Sequence, residues 1–337
     1  MSGKLMPASF IGLALPTFLL LLPGSGIAQT YKFFPIDASC SDCGTVVETD
    51  AEGINAAGDI VGGYVDAEGN QHGYVPSRGR FIKFDVPGKL ANADGFLPTF
   101  VRGINSAGDL VGNYWAPVRP EAPEDSPLYC PSEGSPACFK AFVYSHGKFS
   151  MVVFPGHPGA VAQRITPNGN IYGCLHDFDT QASMFGAAWK KDGATSLEAN
   201  GGELIDPSQS VPFSMNDGAT PDGHTVVGYW VDVNAGLEHG YVVHNGVFQS
   251  YDVPNTVATD IWDINAGGTF VGVYLSADGG IHSYVQLPGG SYPITADPPD
   301  AVLAVGNGIN SGGAIVGQYL DSNYNVRGFL AAPQSTN

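Results

Sequence analysis

Gly53-Ile-Asn-Ala-Ala-Gly-Asp-Ile-Val-Gly-Gly-Tyr64 and Gly103-Ile-Asn-Ser-Ala-Gly-Asp-Leu-Val-Gly-Asn-Tyr114 are two copies of one unit, a match too long for chance. Weaker copies follow at Ile165-Thr-Pro-Asn-Gly-Asn-Ile-Tyr-Gly173, Pro221-Asp-Gly-His-Thr-Val-Val-Gly-Tyr229, Ile264-Asn-Ala-Gly-Gly-Thr-Phe-Val-Gly272 and Ile309-Asn-Ser-Gly-Gly-Ala-Ile-Val-Gly317, which makes six. Their turn glycines, Gly58, Gly108, Gly169, Gly223, Gly268 and Gly313, recur every 45 to 61 residues, a period that suits one propeller blade of four short strands.

The second unit shows the pattern. Val101–Asn105 and Leu110–Trp115 flank a Gly turn, and after a long loop Lys140–Ser145 and Lys148–Phe154 flank His146-Gly147. Gly supplies the positive φ such turns need, and alternating apolar residues between turns suit strands packed on neighbouring sheets. The ends of the repeat complement each other. The sixth unit stops at Gly328-Phe329-Leu330 without a fourth strand, and Tyr31-Lys-Phe-Phe-Pro-Ile-Asp37 resembles the fourth strand Phe81-Ile-Lys-Phe-Asp-Val-Pro87. The expectation is an all-β, six-bladed propeller over residues 29–337, closed by residues 31–37 completing the last blade. Closure removes the exposed edges that invite aggregation, whereas an open solenoid would carry atypical capping units.

Lys4, the apolar run Phe10–Leu22 and the small residues Gly26 and Ala28 read as a signal peptide, residues 1–28, with an uncleaved anchor as the alternative. No later stretch is apolar enough to span a bilayer as a helix. The formal charge is −18, and one unit more negative once Lys4 leaves with the leader. Such a balance argues against nucleic acid, whose binding draws on Lys and Arg contacts, and fits solubility outside the cell or attraction of cations. Export also accounts for the cysteines: Cys40 with Cys43 and Cys130 with Cys138 are spaced for two local disulfides. Cys174 falls inside a predicted strand, where a buried thiol packs as a small apolar side chain.

Each Ile-Val-Gly-like stretch is followed by a short head: His72-Gly-Tyr74, Lys140-Ala-Phe142, His239-Gly-Tyr241, His282-Ser-Tyr284 and Arg327-Gly-Phe329. The chain resembles the HAF-type extracellular repeat proteins, named for a His-Ala-Phe motif, over nearly all of the mature sequence. That resemblance implies an exported repeat protein and carries no defined activity. The third unit departs, with Gly186-Ala-Ala-Trp189 in place of the motif, so its blade is expected to be the least regular.

Candidate chemistry divides into what recurs and what does not. The long connections 88–100, 116–139, 198–213 and 295–306 should gather on one face, the expected place for function. Loops between second and third strands carry oxygen ligands at alternate positions: Asp66, Glu68 and Asn70; Asp177 and Asp179; Asp321, Asn323 and Asn325. This spacing suits Ca²⁺, although without a closing bidentate acid it equally serves hairpin turns in which Asp bonds its own backbone. The heads His72, Lys140, His239, His282 and Arg327 could ring an anion, but repetition in most blades points to an architectural role.

Residues just before each Ile-Asn differ from blade to blade: Glu52, Arg102, Gln163 with Arg164, Trp262 with Asp263, and Asn307. Distinct groups converging on one channel mouth are what a small-ligand or glycan site needs, Trp262 offering a stacking face and Arg102 a carboxylate fork; inter-blade polar contacts are the plainer reading. No Gly-x-Ser-x-Gly elbow, His-Glu-x-x-His helix or phosphate loop is present. Cys40-Ser-Asp-Cys43 is not followed by His, and His176 with Asp177 and Asp179 is a weak acid–base signal. The expectation is a secreted or periplasmic module that binds a protein, glycan or other surface ligand through the long-loop face. The alternatives are a metal-assisted hydrolase, lactonase or lyase, and a self-associating matrix protein.

Overall fold

The computed structural model describes residues 29–334 except 124–125, 127, 131–136, 154–156, 158, 177–183, 191–202, 205–213 and 233. Residues 1–28, Asp177, Asp179 and most of the connection 198–213 therefore lie outside the described residues.

Six four-stranded antiparallel sheets are arranged as blades, each running in sequence from the axis outward. The innermost strands are Val46–Ile54, Thr99–Ile104, Gly159–Ile165, Ser214–Ala219, Thr256–Ile264 and Ala301–Ile309, in blades one to six. Second strands begin at Ile60, Leu110, Ile171, Thr225, Phe270 and Ile315, and third strands at Gln71, Ala137, Met184, Leu237, Ile281 and Val326. Consecutive innermost strands touch all the way round, and the sixth returns to the first, so the ring is closed. The outermost strands of blades three and five are each only two residues long, Glu203–Leu204 and Ile294–Thr295, so this feature does not single out the third blade. The connection 88–100 folds locally into a single 3-10 turn, Gly88–Ala91, and a two-stranded ribbon.

Tyr31–Ile36 supplies the outermost strand of blade six, with Phe33 opposite Ala331 and Pro35 opposite Phe329. Its exit is held by Asp37, whose carboxylate accepts from Arg327 Nε at 2.9 Å. The core lies between blades rather than along the axis. Val61, Val101, Leu110, Tyr114 and Phe142 fill the space between blades one and two, and Ile36, Ala51, Ile54 and Val316 fill it at the closure. Alternating apolar positions face the neighbouring sheet in each case, so every blade depends on two neighbours for burial. Disulfides join Cys40 to Cys43, in the segment from the closing strand to blade one, and Cys130 to Cys138. Among the described residues no helix is long and apolar enough to cross a membrane.

Deleting residues 29–36 leaves the edge of Val326–Pro333 unpaired and uncovers Phe329. The truncated chain should unfold at lower temperature and form oligomers whose size rises with concentration; light scattering during a thermal ramp checks both.

Candidate functional site

Every innermost strand carries a β-bulge at the same level, two or three residues before the Gly turn. At this level the register skips one residue in each blade: Glu52, Arg102, Gln163, Asp217, Trp262 and Asn307; blades one, five and six skip a second, Val47, Val257 and Val302, near the start of the strand. A bulge adds an unpaired residue and re-aims its side chain, here around the channel axis. The repeat glycine of Ile-Val-Gly follows from the same distortion. A Cβ on Gly62, Gly112, Gly173, Gly228, Gly272 or Gly317 would meet the carbonyl oxygen of the strand beside it at 1.8–2.1 Å. In three blades the tyrosine of the third-strand head completes that carbonyl: Tyr74, Tyr241 and Tyr284 donate to Asp50, Met215 and Asp260 at 2.9, 2.9 and 3.2 Å.

One residue further along, the strands close on each other. Gly53, Gly103, Gly218 and Gly308 have backbone of the next blade within 2.7–3.1 Å of where a Cβ would stand. Only blades three and five carry side chains there, Arg164 and Asp263, and these pair across the axis with Nε 3.3 Å from Oδ2. Arg164 also donates to the carbonyls of Arg102, at 2.9 Å, and Gln163, at 2.8 Å, and to that of Asn307. Asp263 accepts from the N–H groups of Ile264 and Ile309. The pair is thus a plug tied to blades two, three, five and six.

Outside the plug, on the short-turn face, lies a bowl of about 160 Å³ lined by the Ile-Asn segments and floored by Arg164 and Asp263. Its rim is stitched by the turn asparagines. Asn310 donates to Asn55 O, Asn55 to Asn105 O, Asn105 to Thr166 O and Asn265 to Asn310 O, each from one blade to the next.

None of the six bulged residues lines this bowl. Arg102 donates to Glu52 Oε1 at 2.5 Å and Asn113 Oδ1 at 3.2 Å, and lies 5.2 Å from the centre of the Phe100 ring. Phe100 packs on Trp115, 43% exposed, which meets Phe139 edge-on. Asp50 accepts from Gly63 N–H; its burial and the nearby Glu52 push its carboxyl up to about 7, against the pull of Arg102. Across the ring, Asp217 accepts from Gln163 Nε2 at 3.3 Å, and burial drives its carboxyl up to about 8. Asp260 also rises to about 8, through burial and then Glu238 and Asp217. Buried polar atoms without a hydrogen-bond partner concentrate here: Glu52 Oε2, Asn113 Nδ2, Gln163 Oε1, Asp217 Oδ2, Asp260 Oδ1 and Trp262 Nε1. Native interiors leave few such atoms, and their gathering around one opening marks it out.

Two of the loop acids, Asp66 and Asp321, are occupied locally. Asp66 accepts from the N–H groups of Glu68 and Asn70 and from the Asn70 amide, and the two bonds from Asn70, with the contact to His72, hold its carboxyl down at about 2. Asp321 accepts from the Asn323 and Asn325 N–H groups and the Asn325 amide. These are the hairpin contacts the spacing allowed. The third-strand heads pair with an aspartate at the end of the fourth strand: His72 with Asp85, His239 with Asp252, His282 with Asp297 and Arg327 with Asp37. Lys140 instead donates to Tyr129 O at 2.6 Å, and burial lowers its ammonium to about 8. The heads therefore stitch strands, the architectural role their repetition indicated.

Of the seven residues singled out from sequence, Glu52, Arg102, Gln163, Trp262 and Asn307 are bulge residues, and Arg164 and Asp263 form the plug below them. Asn307 is tied back, its amide donating to Ala51 O at 3.1 Å. The sixth bulge residue, Asp217, was missed. Aligning Asp217-Gly218-Ala219-Thr220 with Arg102-Gly103-Ile104-Asn105 finds it, but the fourth unit replaces Ile-Asn by Ala-Thr. Asp50, Asp260, Phe100 and Trp115 carried no sequence signal, because their place depends on the bulge.

No protein-family model matches the chain, and no curated protein matches it. Among solved structures it is similar to TolB from Acinetobacter baumannii, at 11% identity and TM-score 0.49, covering 84% of this chain and 65% of that one. It is also similar to a variant of the Aleuria aurantia lectin in complex with Fucα1-6GlcNAc, at 10% identity and TM-score 0.45, covering 85% and 94%.

Removing one partner of a buried pair strands the other charge at a cost of about 3–5 kcal/mol. Arg164→Met should therefore lower unfolding free energy by about that much in urea titration, and adding Asp263→Asn should restore part of it. Asp217 and Asp260 should also set a pH slope. Their folded values near 8 exceed the ordinary carboxyl value, so the folded state holds extra protons between roughly pH 4 and 8. Stability from these groups is full below that window and is lost as pH rises through it. Melting temperature should fall from pH 5 to pH 9, and Asp217→Asn with Asp260→Asn should flatten the fall.

Proposed function

We propose that the mature chain is an exported, noncatalytic binding module that takes a protein or glycan surface ligand at the long-loop mouth of its channel. One observation carries this reading. The six bulges set six different side chains at one level around the axis, and four of them, Glu52, Gln163, Asp217 and Trp262, keep a buried polar atom without a partner. Partly satisfied polar groups are costly inside a protein and are retained where a ligand completes them. Beside them, Phe100 and the exposed Trp115 form an aromatic surface of the kind on which a sugar ring or an apolar side chain stacks.

The closed axis supports a binding role over a catalytic one, because the plug leaves a dead-ended recess. A metal-assisted hydrolase, lactonase or lyase would need several ligand atoms brought together. Among the described residues only Cys40, Asp42 and Cys43 place three potential ligand atoms within 4.8 Å of one another, and the two cysteines are joined as a disulfide. Export, into the periplasm or beyond, is supported by the disulfides and by the resemblance to HAF-type repeats.

A glycan array and pull-downs from envelope extracts with the mature chain should yield a ligand. Arg102→Ala and Trp115→Ala should each weaken its binding at least about tenfold, a loss of roughly 1.4 kcal/mol. Arg80→Ala, which removes an exposed cation from the opposite face, should leave it unchanged. Equal binding by all three variants would overturn the reading.

A further inference from the structure

The acids of the ring fall into two groups at the same depth, and only one contains its own cation. Between blades one and two, Asp50 and Glu52 face Arg102, which is bound to Glu52 and held by Asn113. Between blades four and five, Glu238 and Asp217 act on Asp260, and among the described residues no cation is paired with any of the three. The groups acting on Asp260 are Glu238 and Asp217, both acidic. Asp217 feels Arg164 and Arg102 from other blades, but Arg164 is committed to Asp263 and Arg102 to Glu52, while Asp263 adds a further negative charge. Tyr229, on the second strand of blade four, is half-buried among the same acids, which with burial push its hydroxyl up.

This group reads as a recess rather than a solvated face. Glu238 is exposed at the rim, Asp260 and Tyr229 are half-buried, and Asp217 is fully buried. At the bottom Asp217 Oδ2 has no hydrogen-bond partner, and neither has Asp260 Oδ1.

Resting on the binding-module reading, we infer that the recess formed by Asp217, Asp260, Glu238 and Tyr229 receives a primary ammonium group of the ligand, which does for these acids what Arg102 does for Asp50 and Glu52. A metal held by all three acids would need their ligand atoms together, and they do not lie within 4.8 Å of one another. An ammonium needs only the two deep oxygens, Asp217 Oδ2 and Asp260 Oδ1, to accept its N–H groups, with Glu238 adding charge at the rim and Tyr229 an aromatic face for the cation. Both an amino sugar and a lysine side chain present this group. Binding should strengthen with pH, because ligand and protons compete for the same carboxylates.

The test is calorimetric titration of the mature chain with two probes, a glucosamine dimer and Nα-acetyl-lysine amide, beside their N-acetylated counterparts. At least one ammonium probe should bind and its acetylated form should bind at least tenfold more weakly; which probe binds separates sugar from protein as the source. Between pH 5.5 and 8.5 the affinity of the lysine probe should rise with release of protons, and that of the glucosamine dimer should rise and then fall as its own amine loses its proton at about pH 8. Asp260→Asn should weaken binding about tenfold, and Glu238→Gln, on the exposed rim, should weaken it severalfold without altering the melting temperature. Equal binding of the acetylated forms, no binding of either ammonium probe, or undiminished binding by both folded variants would overturn the inference. If a neutral ligand still binds in an Arg102-dependent manner, only the ammonium assignment fails; if no ligand depends on Arg102 or Trp115, the binding-module reading fails with it.

Discussion

The structure depends on how closely six innermost strands can approach one axis. At the tightest level a Cβ would meet neighbouring backbone in blades one, two, four and six, and glycine is the residue that permits contact. The bulge immediately before this level is part of the same geometry: it bends each strand into the contact and leaves one residue out of the ladder. From this one constraint follow the Ile-Val-Gly glycine beneath the displaced carbonyl, the tyrosine that bonds that carbonyl, and the ring of re-aimed side chains. Close packing and candidate site are therefore made by the same six distortions.

That dependence explains why the fold was legible. A repeat of glycines at fixed offsets reports backbone contacts that admit no other residue, and the match between residues 31–37 and the fourth strand Phe81–Pro87 reports an edge that must be covered. Strand pairing then confirms the closure residue by residue, with Pro35 opposite Phe329. The recurring heads and loop acids were also legible as architecture, since a side chain repeated in most blades answers a need that most blades share. His72 with Asp85 and Asp66 with Asn70 are such answers.

The site was legible in part, and the division is physical. Residues at the bulge stand beside the most recognisable motif of the repeat, so their variation was visible. Asp217 escaped because its unit had lost the Ile-Asn marker. Asp50 and Asp260 escaped for another reason: in an alternating strand nothing distinguishes a residue two places before a bulge, and the bulge itself has no residue signature. Its presence is set by contacts between blades, which are distant in sequence. The arrangement in two levels was equally invisible. Arg164 and Gln163 are adjacent in sequence, yet one closes the axis and floors the bowl and the other does not line it.

Departure from sixfold symmetry then distributes the charge. Two of the six positions at the tightest level hold an arginine and an aspartate, and the pair crosses the axis rather than joining neighbours, so it draws four blades together. Above it, Arg102 neutralises one half of an acidic ring and nothing within the described residues neutralises the other. Buried carboxyls in that half remain protonated well above their ordinary range, which removes the charge that desolvation would penalise. The two halves differ in degree: beside Arg102 the Asp50 carboxyl rises to about 7 and Glu52 Oε2 keeps no partner, whereas Asp217 and Asp260 rise to about 8. The half without its own arginine is the one with room for a cation that arrives from outside.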